Sequence, residues 1–208
     1  MRIDALAARA DRAGRHLVRF SNGSEMRLYR RTVEDFGLYP GMELTEVQLC
    51  ELREAAGTMS AKMRAVRIVA ASNVSRSELE HRLVQKGENP QKAREAVEWM
   101  EDLSFVDDER TAQLIVQQCV RKGYGAARAK QMLYEKRIPK ELWEPVLEDY
   151  PDQIETIMEF LRVRLKGEWD QRDLKRAVDS LLRRGHSYGD IRRALDRLKV
   201  DHEDFQEE

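Results

Sequence analysis

Residues 75–90 read Ser-Arg-Ser-Glu-Leu-Glu-His-Arg-Leu-Val-Gln-Lys-Gly-Glu-Asn-Pro, and they specify one helix, its end and the start of the next. Ser75 with Glu78 three residues on is the pattern of a capping box. Leu79 and Leu83, at i and i+4, share one helical face. Gly87 suits a left-handed helix end. Asn89-Pro90 then supplies an N-cap and a proline at the first helical position, and Ala93, Val97 and Met100 follow as the apolar face of the next helix. On the N-terminal side, Met63, Val66, Val69 and Ala70 stand at helical spacing, so residues 58–103 read as three helices.

The same pattern recurs downstream. Asp107 caps a helix with Ala112, Ile115, Val116 and Cys119 inward; a second helix starts near Tyr124 and presents Ala129, Met132 and Leu133; Ile138-Pro139 opens a third with Leu142 and Val146. A further set follows. Ile154, Ile157, Met158 and Leu161 form one stripe, and Leu174, Val178, Leu181 and Leu182 another. Ser187 to Asp190 cap a last helix with Ile191, Ala194, Leu195 and Leu198. Leu83, Leu133 and Leu181 lie 50 and 48 residues apart, and Lys86, Lys136 and Arg184 repeat that spacing. Recurrence at this period predicts an all-α fold of three tandem three-helix repeats in an elongated curved array, each unit completing its core on its neighbours.

The N-terminal stretch differs. Residues 1–15 are polar and Arg-rich and are expected to fray. Val18 and Phe20, then Met26 and Leu28, alternate with polar residues around Asn22-Gly23, which predicts a small β-hairpin. Matching the apolar faces pairs Phe20 with Met26 and Val18 with Leu28, across a longer loop or a bulge. Thr32 is expected to cap a short helix, and Thr45 with Gln48 a helix running to about Ala56. The expected organisation is therefore an N-terminal extension at 1–57, three-helix units at 58–106, 107–150 and 151–200, and an acidic tail at 201–208.

Charged residues make up 36% of the 208-residue chain and apolar residues 41%, which suits a helical array with thin cores better than a compact α/β enzyme. Cys50 and Cys119 are neither a disulfide framework nor a zinc spacing, and a reducing, cytoplasmic compartment is the simplest reading. No apolar run is long enough to span a membrane. His16, His81, His186 and His202 are scattered, and there is no P-loop, dinucleotide fingerprint or nucleophile elbow. The expectation is a non-enzyme without cofactor or metal, with Trp99, Trp143 and Trp169 as packing anchors.

Charge is segregated. Residues 121–140 carry Arg121, Lys122, Arg128, Lys130, Lys136, Arg137 and Lys140 against Glu135 alone, whereas residues 141–159 carry acids and no base. Lys130 and Tyr134 fall on the side of their helix away from Ala129 and Leu133. A basic face beside free helix N-terminal amides would bind backbone phosphates without reading sequence. Arg183, Arg184, Arg192, Arg193 and Arg197 offer a second such surface. The candidate binding residues are Arg121, Lys122, Tyr124, Arg128, Lys130, Lys136, Arg184 and Arg192.

Three tracts, in this order, resemble the RecX regulatory proteins: Ser75 to Leu83 with Lys86-Gly87; Leu103 to Arg110 leading through Arg121-Lys122-Gly123-Tyr124-Gly125 and Arg128 to Leu133 and Lys136; and Leu182 to Tyr188. The resemblance covers roughly residues 58–199. It implies a protein that binds the groove of the RecA–DNA filament, inhibits strand exchange, ATP turnover and co-protease activity, and contacts single- and double-stranded DNA without sequence preference; a monomer is expected. A DNA-binding helical module independent of RecA and a general interaction scaffold are the competing readings. Two positions depart from the family pattern. Ala129 replaces a branched aliphatic, and Arg137 replaces glycine, so that helix is expected to end without a left-handed residue.

Overall fold

The computed structural model describes residues 1–166 and 169–204. It is mostly helical, with a three-stranded antiparallel sheet at the N-terminus. The chain forms two compact units, Met1–Val106 and Asp107–Glu208.

The sheet corrects the expected hairpin. Strands β1 (Ile3–Leu6), β2 (Arg15–Phe20) and β3 (Glu25–Tyr29) lie in the order β1-β2-β3. The extreme N-terminus is held rather than frayed. Its ammonium donates to the Leu44 carbonyl, the Ile3 amide donates to Met42, and Ile3 is fully buried. The register is Val18 opposite Met26 and His16 opposite Leu28, two residues from the expected pairing. A shift of two keeps each side chain on its face, which is why apolar matching alone did not separate the two registers. The loop is three residues, Ser21 to Gly23, closed by the Phe20 amide on the Ser24 carbonyl at 2.9 Å, with Gly23 at φ +78°.

The β1–β2 connection is ordered by its one acid. Asp11 accepts from the amides of Ala13 and Arg15 and pairs with the Arg15 guanidinium at 2.8 Å. The Arg15 amide, then the Arg15 side chain, hold its carboxyl down at about 2.

Thr32 does not cap the next helix. It lies inside α1 (Arg30–Asp35), buried, and Tyr29 is the N-cap. Thr45 does form a full capping box with Gln48, but the helix it opens, α2 (Glu46–Ala71), runs far beyond Ala56. At 1.5 Å per residue its 26 residues extend about 39 Å. Glycine in a helix interior costs about 1 kcal/mol, and burial on both sides of Gly57 outweighs that. Leu49 and Leu52 pack with the sheet, while Ala61, Ala65 and Ile68 pack with the next two helices. That buried stripe replaces the expected one, since Val66 and Ala70 are exposed and only Val69 contributes.

Helices α3 (Arg76–Gln85) and α4 (Pro90–Asp102) are capped by Ser75 and Asn89 as their spacing requires. In the second unit, Asp107 caps α5 (Asp108–Arg121), Gly125 precedes α6 (Ala126–Glu135), and a short 3-10 turn (Lys140–Leu142) leads into α7 (Trp143–Leu147). Helices α8 (Ile154–Arg164), α9 (Gln171–Arg183) and α10 (Tyr188–Asp204) follow. Helix α10 runs into the expected acidic tail, of which residues 205–208 lie outside the described residues. Trp99 and Trp143 are partly buried against helical cores, but Trp169 is exposed.

One helix ending recurs. Leu83, Leu133 and Leu181 are buried, and the carbonyl of each accepts from an amide five residues on, Glu88, Ile138 and His186. The residue just before that donor is left-handed: Gly87, Arg137 and Gly185. Arg137 therefore adopts φ +54° despite its side chain, contrary to the expectation that this end would close differently. The buried Leu133 and Ile138 on either side hold the turn in place. Ser104 ends α4 in the same way at φ +58°. Left-handed backbone costs a non-glycine residue roughly 1–2 kcal/mol, and Ser104 is exposed. Ser104→Gly should therefore raise stability by about 1 kcal/mol, read as a higher urea midpoint at unchanged slope.

Candidate functional site

Five of the eight candidate residues stand at a joint within the second unit. There the turn that ends α5 meets the turn that ends α9. The amide of Gly125 donates to the Arg184 carbonyl at 3.0 Å, and the Ala127 amide to the Gly185 carbonyl at 3.3 Å. The C-terminal carbonyls of α9 thus face the N-terminal amides of α6, which sets opposite ends of two helix dipoles against each other. This corrects the expectation of free amides there. Two of the groups that would have faced a phosphate are spent on protein carbonyls.

The glycines of Gly123-Tyr124-Gly125 are explained by this contact. A Cβ on Gly125 would stand 2.0 Å from the Gly185 carbonyl oxygen, and one on Gly185 would stand 2.3 Å from the Arg128 nitrogen. A Cβ on Gly123 would meet Thr156 of α8 at 2.7 Å. Two side chains close the joint. His186 is buried, with Nε2 3.1 Å from the Gly123 carbonyl. A ring nitrogen facing a carbonyl must carry the proton, so Nε2 donates. Tyr150 Oη donates to the Tyr124 carbonyl at 2.6 Å, and burial pushes that phenol up to about 12. Burial likewise lowers the His186 imidazole below its ordinary range, with neighbouring Arg184 adding to the effect and the Gly123 bond opposing it.

Around the joint stand Arg121 and Lys122 at the end of α5, Tyr124 in the turn, Arg128 in the first turn of α6, and Arg184. Arg121 and Lys122 are exposed. Arg128 is half-buried and lies 3.6 Å from Glu135. Tyr124 packs into the α5–α6–α7 core, so its ring serves structure. The Arg184 guanidinium sits 4.7 Å from the Phe160 ring centre, and Arg164 covers the same ring at 5.5 Å. Lys130 is exposed on α6, and Arg192 is exposed on α10. Lys136 caps the far end of α6, about 15 Å along the helix from Gly125, and does not join the group.

Phe160, Arg164 and His186 belong to this neighbourhood but were not singled out from sequence. The available signal was Gly125, which stands where an N-cap would normally supply a side-chain oxygen. Among the described residues, no group of three or more His, Cys, Asp or Glu side chains is placed to hold a metal. No described helix is long and apolar enough to cross a membrane.

The chain is similar to known proteins. A model of the second three-helix domain of RecX matches residues 107–147. The regulatory protein RecX of Vibrio campbellii is 29% identical over 143 residues, 67% of this chain and 92% of that protein. That of Clostridium acetobutylicum is 28% identical over 168 residues, 76% of this chain and 78% of its own. Among solved structures, a regulatory protein RecX superposes with a TM-score of 0.64 over 94% of this chain and 98% of its own at 17% identity. RecX from Lactobacillus salivarius gives 0.60 over 70% and 99% at 23% identity. At such identities the two structures bear on the fold.

Gly125 has φ −79°, so a side chain there meets collision rather than backbone strain. Gly125→Ala should cost about 3 kcal/mol or more in chemical denaturation. Gly87→Ala, with nothing within 4 Å but φ +87°, should cost only the left-handed term, about 1–2 kcal/mol. The His186 linkage has a definite sign. Above the ordinary imidazole value of about 6.5 both folded and unfolded states hold the neutral ring, and the joint has its full stability. As pH falls through and below that value the unfolded state takes up the proton first, and stability is lost. His186→Gln should therefore flatten the decline in urea midpoint between pH 7 and pH 5 relative to the unsubstituted protein.

Proposed function

We propose, from the membership of this chain in the RecX family, that it binds the RecA–DNA filament and inhibits the recombinase, ATPase and co-protease activities of RecA. In this reading it is a cytoplasmic, monomeric and non-catalytic modulator of DNA repair and recombination. The three helical groups α2–α4, α5–α7 and α8–α10 are read as repeats of one unit. The observation that carries the reading furthest is the joint that gathers Arg121, Lys122, Arg128 and Arg184 around two interlocked turns. A filament offers repeating protein and phosphate surface, and a fixed group of cations can engage it without reading sequence.

The roles follow from exposure. Arg121, Lys122 and Lys130 are exposed and meet phosphates or carboxylates of the partner. Arg128 and Arg184 are partly committed, to Glu135 and to Phe160, and act as positioned charges at the centre. Inhibition requires the protein to favour a filament state that is less active or less stable. The second reading is a DNA-binding helical module that acts without RecA, and the same charge segregation supports it.

Charge reversal at Arg121, Lys122, Arg128 and Lys130 should weaken single-stranded DNA binding alike on different sequences and flatten its salt dependence. The same variant should relieve inhibition of DNA-dependent ATP hydrolysis by preformed RecA filaments. Inhibition that disappears in excess DNA would favour the second reading, and no inhibition at any dose would remove the first.

A further inference from the structure

The first unit carries a charged surface that the RecA reading does not use. Residues 1–31 contain eight arginines, at positions 2, 9, 12, 15, 19, 27, 30 and 31, against Asp4, Asp11 and Glu25. The structure shows which of these charges are neutralised. Asp4 pairs with Arg2 at 3.1 Å, Asp11 with Arg15 at 2.8 Å and Glu25 with Arg19 at 3.0 Å. Arg30 and Arg31 pair along α1 with Glu34 and Asp35. Arg9, Arg12 and Arg27 are exposed and form no ion pair among the described residues. A fourth cation joins them from α2. Arg67 donates to the Tyr29 hydroxyl and, at 3.5 Å, to the Ala13 carbonyl. Both acceptors are neutral, so its charge is held in place without being cancelled.

Arg12, Arg27 and Arg67 share one region, and Arg9 lies in the same β1–β2 connection as Arg12. Side chains alternate across a sheet, so Arg15, Leu17 and Arg19 of β2 lie on the face opposite to the buried Val18 and Phe20. Glu25, Arg27 and Tyr29 of β3 lie opposite to the buried Leu28. The register sets Arg15 beside Tyr29 and Leu17 beside Arg27. Arg27 is thus the diagonal neighbour of both Arg15 and Arg19, at about 7–8 Å. Arg12 stands in the turn that Asp11 orders at the Tyr29 end. Guanidinium groups alternate here with the half-buried Tyr29 ring and Leu17 side chain. Planar, permanently charged guanidinium favours phosphate oxygens, and ring and aliphatic surface between such groups suits bases freed from a duplex.

We infer that the outer face of the N-terminal sheet, with Arg9, Arg12, Arg27 and Arg67, is a binding surface for the backbone of single-stranded nucleic acid, separate from the joint in the second unit. It does not rest on the RecA reading. Occupation of this face gives the full-length chain two independent nucleic-acid contacts, one in each unit.

The test is fluorescence anisotropy of a labelled oligothymidylate with the full-length protein across a salt series. R9Q/R12Q/R27Q removes three exposed, unpaired charges, and its thermal unfolding should match the unsubstituted protein. Affinity at low salt should fall about tenfold or more, and the slope of log K against log salt should flatten by about 2, at roughly 0.7 per phosphate contact. R30Q/R31Q/R94Q removes the same net charge from arginines that face their own carboxylates, and should stay within about twofold of the unsubstituted protein. Unchanged affinity and slope in the first variant, or an equal loss in the second, overturns the inference. The reversal at Arg121, Lys122, Arg128 and Lys130 is measured alongside. Loss there with none in the sheet variant overturns the second surface and leaves the proposed function standing. Loss in the sheet variant alone supports the second surface and counts against the joint.

Discussion

Two backbones in the second unit touch where no side chain fits. The approach of Gly125 to Gly185 lets the amides at the start of α6 donate to the otherwise unpaired carbonyls at the end of α9. Each helix end would otherwise present unsatisfied backbone groups, and burying such groups unpaired costs more than the bond itself returns. The rest of the unit is arranged around this pairing. His186 and Tyr150 seal it by donating to Gly123 and Tyr124, and the cations of both turns are brought together as a consequence. The tract that gives the surface its charge is therefore also a structural element, and its glycines serve packing rather than phosphate cradling.

Charge in this protein is governed by what each cation already holds. Arg128 and Arg184 stand at the centre of the joint but are partly engaged, by Glu135 and by Phe160. In the N-terminal sheet, every acid among the first 31 residues is taken by an arginine. Solvent-exposed ion pairs contribute little to stability, yet they decide which charges remain to be felt by a partner. A net charge of −1 over the whole chain conceals this, because acids and bases are matched in some places and left unmatched in others.

Helix limits were legible where a single residue type has one physical use. Ser75, Asn89, Asp107 and Ser187 cap their helices as the spacing requires, because a short side-chain oxygen ahead of an amphipathic run has few other roles. The buried leucines at 83, 133 and 181 were equally plain. The expected helix end near Ala56 was wrong, because Gly57 lowers helix propensity only locally while the burial that outweighs it comes from residues on both sides. Thr32 misled for the converse reason. Its hydroxyl suits a cap, but the fold buries it within α1. Strand β1 was invisible, since its four residues, Ile3-Asp4-Ala5-Leu6, are too few to show an alternation and its pairing comes from β2 and from the chain near Met42.

For the candidate site, the sequence by itself determined which residues are charged, which turns need glycine, and that two basic tracts flank helix ends. Those are local properties of side-chain chemistry and backbone freedom. Only the tertiary structure decided that the turn at 122–125 and the turn at 184–187 are one place. It also decided that their amides are already bonded and that Tyr124 packs inward. In the N-terminal sheet it decided which arginines have acidic partners. The physical reason is the same throughout. A helix end, an aromatic ring or a guanidinium is chemically complete only when its partner is present, and those partners lie as far as 63 residues away along the chain.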